Sequence, residues 1–234
     1  MTASNPEHPL QKLFQQLDQT FGDLNWWPAN SPYEVIVGAI LTKNTAWTNV
    51  QKALANLKET RELSPQAVMS LPRYTLEKLI TPAGFFRQKA RYLHGISAYL
   101  IDHCDGDVAR LCHGSLEEAR KRLLALTGVG PETADSILLY AANRPSFVVD
   151  AYTRRILTRL GMIQGQETYD AIRQEFMTVL PAEAALFNQY HALIVEHAKT
   201  FCRKKRPLCP DCPLLADCPT GQLAGTRNKG RKTR

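Results

Sequence analysis

Apolar residues recur along the chain at intervals of three and four positions, which is the spacing of one face of an α-helix. The pattern is clearest in Leu10–Phe21, Val50–Leu57 and Tyr169–Leu180. Ser31 and Ser115 stand where further helices are expected to start, because a serine hydroxyl caps the free N–H groups of a first turn. No stretch alternates convincingly between apolar and polar positions, so the pattern predicts an all-helical protein of about ten helices.

The length and composition limit the class of protein. The 234 residues suffice for one substantial core or two small ones. No apolar run approaches membrane-spanning length, and no charged segment followed by an apolar core opens the chain. We therefore expect no membrane association, no export signal and a location in the cytoplasm with the nucleoid. Disulfides are rare there, so the six cysteines need another explanation.

Positive charge is concentrated near the C-terminal end. Lys and Arg balance Asp and Glu at 20 each up to Phe201, but nine basic residues face two acidic ones from Cys202 onward. Four of the nine form the run RKKR at Arg203–Arg206. Such a concentration suits a polyanion, since each neutralised phosphate releases counterions. We expect residues 220–234 to be a basic, disordered tail.

Four cysteines share one short loop with the spacing C-x6-C-x2-C-x5-C, namely Cys202, Cys209, Cys212 and Cys218. Four thiolates in one loop can close around a single metal centre, because a cation keeps them ionised near neutral pH. A zinc ion and an iron–sulfur cluster both fit that chemistry, and the spacing matches neither common ferredoxin pattern. The residues alone therefore leave the metal open. Cys104 and Cys112 are expected to be ordinary free thiols.

The segment Leu126–Ala141 holds two glycines, Gly128 and Gly130, between two helical patterns. A glycine turn that opens a helix exposes backbone N–H groups, which form a natural phosphate site. Many helix–helix turns use glycine, so this signal is weak alone. Asp150 follows in the stretch FVVDAYTRRIL.

Taken together, the Gly128-Val129-Gly130 turn, Asp150 and the four-cysteine loop resemble the helix-hairpin-helix (HhH-GPD) base-excision DNA glycosylases of the endonuclease III superfamily. The resemblance extends from about Trp26 to Cys218. It implies a two-lobed all-helical fold. One lobe, 25–144, would carry the hairpin, and the other, 1–24 plus 145–219, would carry the cysteine loop.

The resemblance also implies roles for individual residues. Asp150 would be the catalytic carboxylate, and the four cysteines would hold a [4Fe-4S] cluster. Lys43 and Asn44 resemble the position from which family members push a side chain into the vacated base stack. The expected DNA contacts also include the hairpin glycines and the basic loop, that is Gly128, Gly130, Arg203, Lys204, Lys205 and Arg206. The expected partner is double-stranded DNA with a damaged base, bound by a monomer.

Glu132 marks a departure from part of the family. Bifunctional members place a lysine two residues after the last hairpin glycine, where its amine attacks the sugar and leads to strand cleavage. A carboxylate cannot form an imine. We therefore expect a monofunctional glycosylase that leaves an intact abasic site. A role in substrate binding and a simple helix-start acid are both open for Glu132.

The three tryptophans, Trp26, Trp27 and Trp47, all lie in one segment near the start. A flipped base needs stacking surfaces, and a cationic alkylpurine also gains from aromatic faces. Core packing is the alternative. The stretches WWP, GAILT-x-NT, GFF-x-QKA and VVD-x-Y are similar to the 3-methyladenine glycosylase branch, in which residues matching Trp26 and Trp47 sandwich the base and a glutamate matches Glu132. That branch implies 3-methyladenine or 7-methylguanine as substrate.

Three other interpretations stay open. The same fold could act on uracil, mismatched thymine or oxidised pyrimidines, with lyase activity from another lysine. The chain could be a DNA-binding homologue without catalysis, or a zinc-bound structural protein. Phe85, Phe86, His191 and His197 are interpreted as packing or structural residues.

Overall fold

The computed structural model describes residues 7–24, 26–60 and 62–229. Within those ranges the chain is helical and has no strand, which confirms the predicted all-α class. No helix there is both long enough and apolar enough to cross a membrane. The described α-helices are α1 (Pro9–Phe21), α2 (Pro32–Thr42), α3 (Trp47–Thr60), α4 (Pro65–Ser70), α5 (Arg73–Leu79), α6 (Phe86–Cys104), α7 (Val108–Leu111), α8 (Leu116–Leu124), α9 (Pro131–Ser136), α10 (Ala151–Arg159), α11 (Tyr169–Val179), α12 (Ala184–Thr200) and α13 (Pro219–Lys229).

The helices exceed the predicted number because several are too short to show a period. Helix α7, for example, spans only four residues. Helix α9 continues into a π-helical turn, Ile137–Ala141. Three single 3-10 turns complete the chain, at Thr81–Ala83, Cys209–Asp211 and Leu215–Asp217.

The chain divides into two compact units. One comprises Trp27–Ser146, and the other comprises the described parts of Met1–Trp26 and Phe147–Arg234. The first unit holds α2 to α9 and is here called the hairpin unit. The second holds α1 and α10 to α13 and is called the cysteine unit.

Helix α2 forms the centre of the hairpin unit. All nine residues from Tyr33 to Leu41 are buried, so the helix is covered on every side. Its start is fixed by the Ser31 hydroxyl, which accepts the Glu34 N–H at 3.2 Å. The predicted capping role of Ser31 is confirmed, although the Glu34 carboxylate accepts the Asn30 N–H and pairs with Lys58 instead of closing a full capping box. The full box forms at the other predicted start, Ser115.

A buried ion pair links α8 to α9 in the same unit. The Arg120 Nε donates to Asp135 Oδ1 at 3.0 Å, and its Nη2 donates to Oδ2 at 3.2 Å. The Ser146 hydroxyl donates to the same carboxylate at 2.5 Å. Because all three side chains are buried, the network holds both hairpin helices and the chain that leaves the unit.

The cysteine unit has an aromatic core. Phe147 stacks on Phe176 with ring centroids 3.7 Å apart, and Phe187 and Tyr190 meet Phe147 edge-on. The Tyr190 hydroxyl, buried among these rings, donates to the Leu10 carbonyl at 2.7 Å and so joins α12 to α1. Edge-on and stacked rings of this kind add packing energy beyond the area that they bury.

Residues 220–229 of the expected disordered tail lie in helix α13, which begins with Pro219 in its first turn. The Gln222 amide donates to the carbonyls of Leu215 and Ala216, so the helix is tied to the cysteine loop before it. Residues 230–234, the remainder of the predicted tail, lie outside the described residues.

The buried pair predicts a large stability effect for one isosteric change. Asp135→Asn leaves the Arg120 charge buried without its counterion, so we expect the free energy of unfolding to fall by about 3 kcal/mol. The exposed pair of Arg110 and Asp105 provides the control, and Asp105→Asn should cost no more than about 1 kcal/mol. Urea titration measures both, and equal losses would contradict the role given to the buried network.

Candidate active site

The first hairpin glycine, Gly128, is required by its surroundings. Its φ is +90°, and a Cβ there would lie 2.2 Å from Cγ of the Tyr92 ring. The Lys43 Nζ donates to the Gly128 carbonyl at 2.7 Å and lies 5.5 Å from the centre of the same ring. The structure therefore places Lys43 as a tie between α2 and the hairpin.

The second hairpin glycine, Gly130, differs in both respects. Its φ is −97°, a value open to any residue, and a Cβ would meet no other atom within 4 Å. Neither the backbone nor the packing of the unit explains this glycine. The open space at the start of α9 instead allows another molecule to approach the backbone closely. Glu132 lies exposed in the first turn of α9.

A buried amine fixes the turn that carries Asn44. The Lys89 Nζ donates to the Leu41 carbonyl, the Thr45 hydroxyl and the Ala83 carbonyl, each at 2.8 Å. Lys89 is only 3% exposed, and burial, together with the charge of Lys43, lowers its pKa to about 8. The amine thus clamps the turn after α2 against the turn before α6.

The two clamped turns both present a side chain to solvent. Asn44 is exposed with φ at +54°, and Phe85 is 66% exposed with φ at +45°. The interpretation of Phe85 as a packing residue is therefore wrong, whereas Phe86 packs against the core. A bulky residue at positive φ is uncommon and marks a strained backbone that the clamp must hold. Sequence reasoning missed Phe85 because apolar residues usually pack.

The tryptophans separate into two groups. In the hairpin unit, Trp27 meets Trp47 edge-on with ring centroids 4.9 Å apart, and the Tyr140 ring also lies 4.9 Å from Trp27. Gly38 permits this packing, because a Cβ there would lie 3.3 Å from Trp27. Trp26 belongs to the cysteine unit, where the Lys199 ammonium lies 5.2 Å from its ring.

Tyr140 is a member of this aromatic group that sequence reasoning missed. It lies in the π-helical turn after α9. Such turns are uncommon and occur often at functional sites, but nothing in a short apolar run distinguishes them from an ordinary helix.

Asp150 is the N-cap of α10. Its Oδ1 accepts the Thr153 N–H at 2.8 Å and the Thr153 hydroxyl at 3.0 Å. Its Oδ2 lies 3.6 Å from Nε2 of His191, and only 13% of the Asp150 side chain is exposed. Burial by itself raises the pKa of the carboxyl, but His191 and the Thr153 donors outweigh it and hold the pKa below its ordinary value. A nearly buried carboxylate is thus kept ionised at neutral pH.

The four cysteines of the loop are among the residues that line one cavity in the cysteine unit, together with apolar residues including Ile156, Leu160 and Leu214. The Cys202 sulfur accepts from Arg159 Nη1 at 3.2 Å, and the Cys218 sulfur accepts from the Gly221 N–H at 3.3 Å. Among the described residues, no three His, Cys, Asp or Glu side chains come together as a site for one metal ion.

The pKa values of the loop thiols depend on whether a cationic centre is bound beside them. Burial, and then the neighbouring cysteine sulfurs, raise the pKa of Cys209 and Cys212. A metal centre in the cavity would reverse that effect, since thiolates and not thiols are ligands. The cavity, the N–H donors and the four sulfurs together fit a bound iron–sulfur cluster. His197 is buried beside the loop, with Nε2 at 3.7 Å from the Cys212 sulfur.

The basic loop Arg203–Arg206 is exposed throughout. Its backbone is held by Arg159, which donates to the carbonyls of Arg203 at 2.9 Å and Lys204 at 3.3 Å. Because Arg159 also contacts the Cys202 sulfur, one guanidinium links the cysteine cavity to the path of the basic loop.

An all-helical fold with a glycine hairpin, a capping aspartate and a four-cysteine loop defines a class of DNA repair protein. Residues 37–182 match the model of the HhH-GPD superfamily base excision DNA repair proteins, and the chain belongs to that family. It is a DNA glycosylase of the base-excision repair type, and the predicted superfamily is confirmed. The matched residues include the hairpin and Asp150, and they leave out the first two tryptophans and the four cysteines of the loop.

Particular relatives agree with this class. The chain is 43% identical over 219 residues to a protein of Methanocaldococcus jannaschii provisionally named a DNA repair glycosylase, covering 89% of this chain and 95% of the relative. A trapped endonuclease III–DNA covalent intermediate superposes with a TM-score of 0.81 at 25% identity, over 93% of this chain and 99% of that one. The Helicobacter pylori 3-methyladenine DNA glycosylase bound to 1,N6-ethenoadenine gives a TM-score of 0.68 at 28% identity, over 80% and 94%.

The two hairpin glycines predict opposite outcomes for the same substitution. Gly128→Ala meets both the positive φ and the Tyr92 ring, so it should lower the free energy of unfolding by at least about 2 kcal/mol. Gly130→Ala should change stability by less than about 1 kcal/mol but weaken binding to a duplex, because the methyl group occupies the open space. Denaturant titration and fluorescence anisotropy measure the two effects. A Gly130→Ala protein that binds DNA normally would show that this space is not a contact.

Proposed function

We propose that this protein is a monofunctional DNA glycosylase that flips an alkylated purine, 3-methyladenine or 7-methylguanine, out of double-stranded DNA and hydrolyses its N-glycosidic bond. The observation that carries the proposal is the placement of Asp150, a nearly buried carboxylate that Thr153 caps at Oδ1 and the His191 ring faces at Oδ2, contacts that lower its pKa. A carboxylate of this kind stabilises a developing positive charge more strongly than an exposed one would.

The hydrolysis of a cationic alkylpurine requires the negative charge of Asp150 and a water molecule, but no acid. When the bond between the sugar C1′ and the base nitrogen breaks, the electron pair leaves with the base, and a cationic alkylpurine departs neutral without an acid. The sugar becomes an oxocarbenium-like cation, which the Asp150 carboxylate stabilises. Water then bonds to C1′ and gives up a proton, and Asp150 is the group assigned to accept it.

Aromatic side chains support an alkylated purine as the substrate. Trp27, Trp47 and Tyr140 form one aromatic group in the hairpin unit. In the cysteine unit, the Trp26 ring makes a cation–π contact with the Lys199 ammonium. Rings that attract an ammonium attract a cationic base for the same reason. The likeness to a 3-methyladenine DNA glycosylase over 80% of this chain adds to that support.

The absence of lyase activity is proposed from the lysines as well as from Glu132. The Lys43 amine donates to the Gly128 carbonyl, and the Lys89 amine is buried against three acceptors. Neither amine is presented for attack on a sugar. A carboxylate stands at Glu132, where an attacking lysine is expected in bifunctional enzymes.

The DNA contacts are assigned to four elements. Gly130 provides the open approach to the start of α9, and Arg203–Arg206 offers an exposed run of four positive charges. Asn44 and Phe85, held rigidly by Lys89, are the side chains that can enter the base stack. We further propose that a single copy of the chain binds and acts on double-stranded DNA.

A [4Fe-4S] cluster is assigned to Cys202, Cys209, Cys212 and Cys218, which line one cavity. When bound, it supplies the cationic centre that keeps the thiolates ionised and the loop folded. Arg159 then holds the basic loop in its path beside the cavity.

A second candidate is the removal of uracil, mismatched thymine or an oxidised pyrimidine with strand cleavage. The likeness to an endonuclease III trapped covalently on DNA favours it. The two candidates differ in the base released and in the fate of the strand.

Base release from DNA distinguishes the candidates. With methylated, uracil-containing and oxidised duplexes, we expect the wild-type protein to release 3-methyladenine or 7-methylguanine and to leave the strand intact. Asp150→Asn should slow release by about 100-fold or more, because the amide carries no charge. Chromatography of the free bases and denaturing gels of the strand give the readout.

Borohydride provides the control for strand cleavage. No covalent protein–DNA adduct should form, and Lys89→Met and Lys43→Met should not alter that result. A trapped adduct, or release of uracil or an oxidised pyrimidine alone, would contradict the monofunctional alkylpurine proposal.

The metal assignment is tested on purified protein. We expect four iron atoms per chain by metal analysis and a brown preparation whose visible absorption is lost in Cys209→Ser. Cys104→Ser changes a cysteine of the other unit and should keep the absorption. A colourless protein that contains zinc would overturn the cluster.

A further inference from the structure

We propose that His191 is the positioning residue for Asp150: its ring lies against Oδ2 and keeps that oxygen turned away from the helix cap, where it can act on the reacting sugar. The inference rests on the proposed role of Asp150 in catalysis. It changes the interpretation of His191, whose place on an apolar helix face suggested a structural residue.

The two carboxylate oxygens of Asp150 have different partners. Oδ1 is occupied by the N-cap, since it accepts both the N–H and the hydroxyl of Thr153. Oδ2 makes neither of these contacts and faces the His191 ring with 3.6 Å to Nε2. The cap therefore fixes the position of the carboxylate, and the reactive oxygen is the one beside His191.

The His191 ring is itself rigidly placed. His191 is 5% exposed and lies in α12, where every residue from Tyr190 to Val195 is buried. Its neighbour Tyr190 ties the helix to α1 through the Leu10 carbonyl at 2.7 Å. A ring in such a setting costs little entropy to hold against a carboxylate, because it is already ordered.

The contact has an electrostatic effect that a packing residue would lack. Burial alone opposes the ionised carboxyl, and the His191 ring, with Nε2 at 3.6 Å from Oδ2, acts in the opposite direction and lowers the pKa of Asp150. Thr153 on α10 occupies Oδ1, and the Tyr169 hydroxyl on α11 accepts the Val149 N–H at 3.3 Å. Of these, His191 is the group that faces Oδ2.

Two substitutions separate the donor from the shape of the side chain. His191→Leu fills similar volume without an N–H, whereas His191→Gln retains an N–H donor of similar reach. Asp150→Asn is measured in parallel. The substrate is the methylated, uracil-containing or oxidised duplex from which the wild-type protein releases a base, with protein in excess, so that the rate reports the chemical step. Affinity for a duplex with a tetrahydrofuran abasic analogue and the unfolding midpoint report binding and folding. If the Leu variant does not fold, His191→Met replaces it.

The expected result is a rate about 10- to 100-fold lower for His191→Leu, within a few-fold of wild type for His191→Gln, and unchanged affinity for the abasic duplex in both. A Leu variant that excises at the wild-type rate, or Leu and Gln variants that are slowed equally, would overturn the proposal. Failure of the proposed function gives a different result, namely an Asp150→Asn protein that excises like wild type.

Discussion

In the proposed mechanism, one carboxylate must remain ionised while the protein removes it almost entirely from water. Burial favours protonation of Asp150, and the structure opposes burial with three contacts to its two oxygens. Two of these come from Thr153 on the same helix, so the start of α10 and the state of the carboxylate depend on each other. The third comes from His191 on α12 and requires that α10 and α12 pack together. The aromatic core of the cysteine unit therefore supports the ionised state of Asp150, because it fixes the position of α12, which carries His191.

In the other elements assigned to the site, a single cationic side chain also makes two structural contacts. Arg159 holds the basic loop by its carbonyls and donates to a cysteine sulfur. Lys89 donates to the Leu41 carbonyl at the end of α2 and to the Ala83 carbonyl before α6, and so clamps two strained turns. Lys43 closes the hairpin against α2. In each case a long cationic side chain satisfies backbone carbonyls that a turn leaves without helical partners.

The sequence predicts the helical class well, because apolar periodicity and serine caps are local signals. The start of α8 at Ser115 follows from a capping box that involves only its own first turn. The hairpin glycines are also visible in the sequence, but their difference is not. Only the position of Tyr92, 36 residues before Gly128, explains why one glycine is required by packing and the other is not.

The partners of the candidate site residues depend on contacts between distant segments, and the sequence could not supply them. His191 looks like any polar residue on an apolar helix until α12 is placed beside Asp150. Phe85 looks like a core residue until its backbone is found at positive φ. The tail after Pro219 looks low in complexity, and its sequence gives no sign that Gln222 donates to two carbonyls of the cysteine loop. The three tryptophans belong to different units because the boundary between the units falls between Trp26 and Trp27.

The most direct test of the account is the pH dependence of base release with protein in excess. The free base is quantified between about pH 7 and pH 5, and spontaneous loss from DNA without protein is subtracted. Because the contacts of Asp150 lower its pKa, the carboxylate stays ionised throughout that window, and the account predicts a constant rate. A rate that rises as the pH falls would mean that a protonated acid drives the reaction, and it would contradict catalysis by an ionised Asp150.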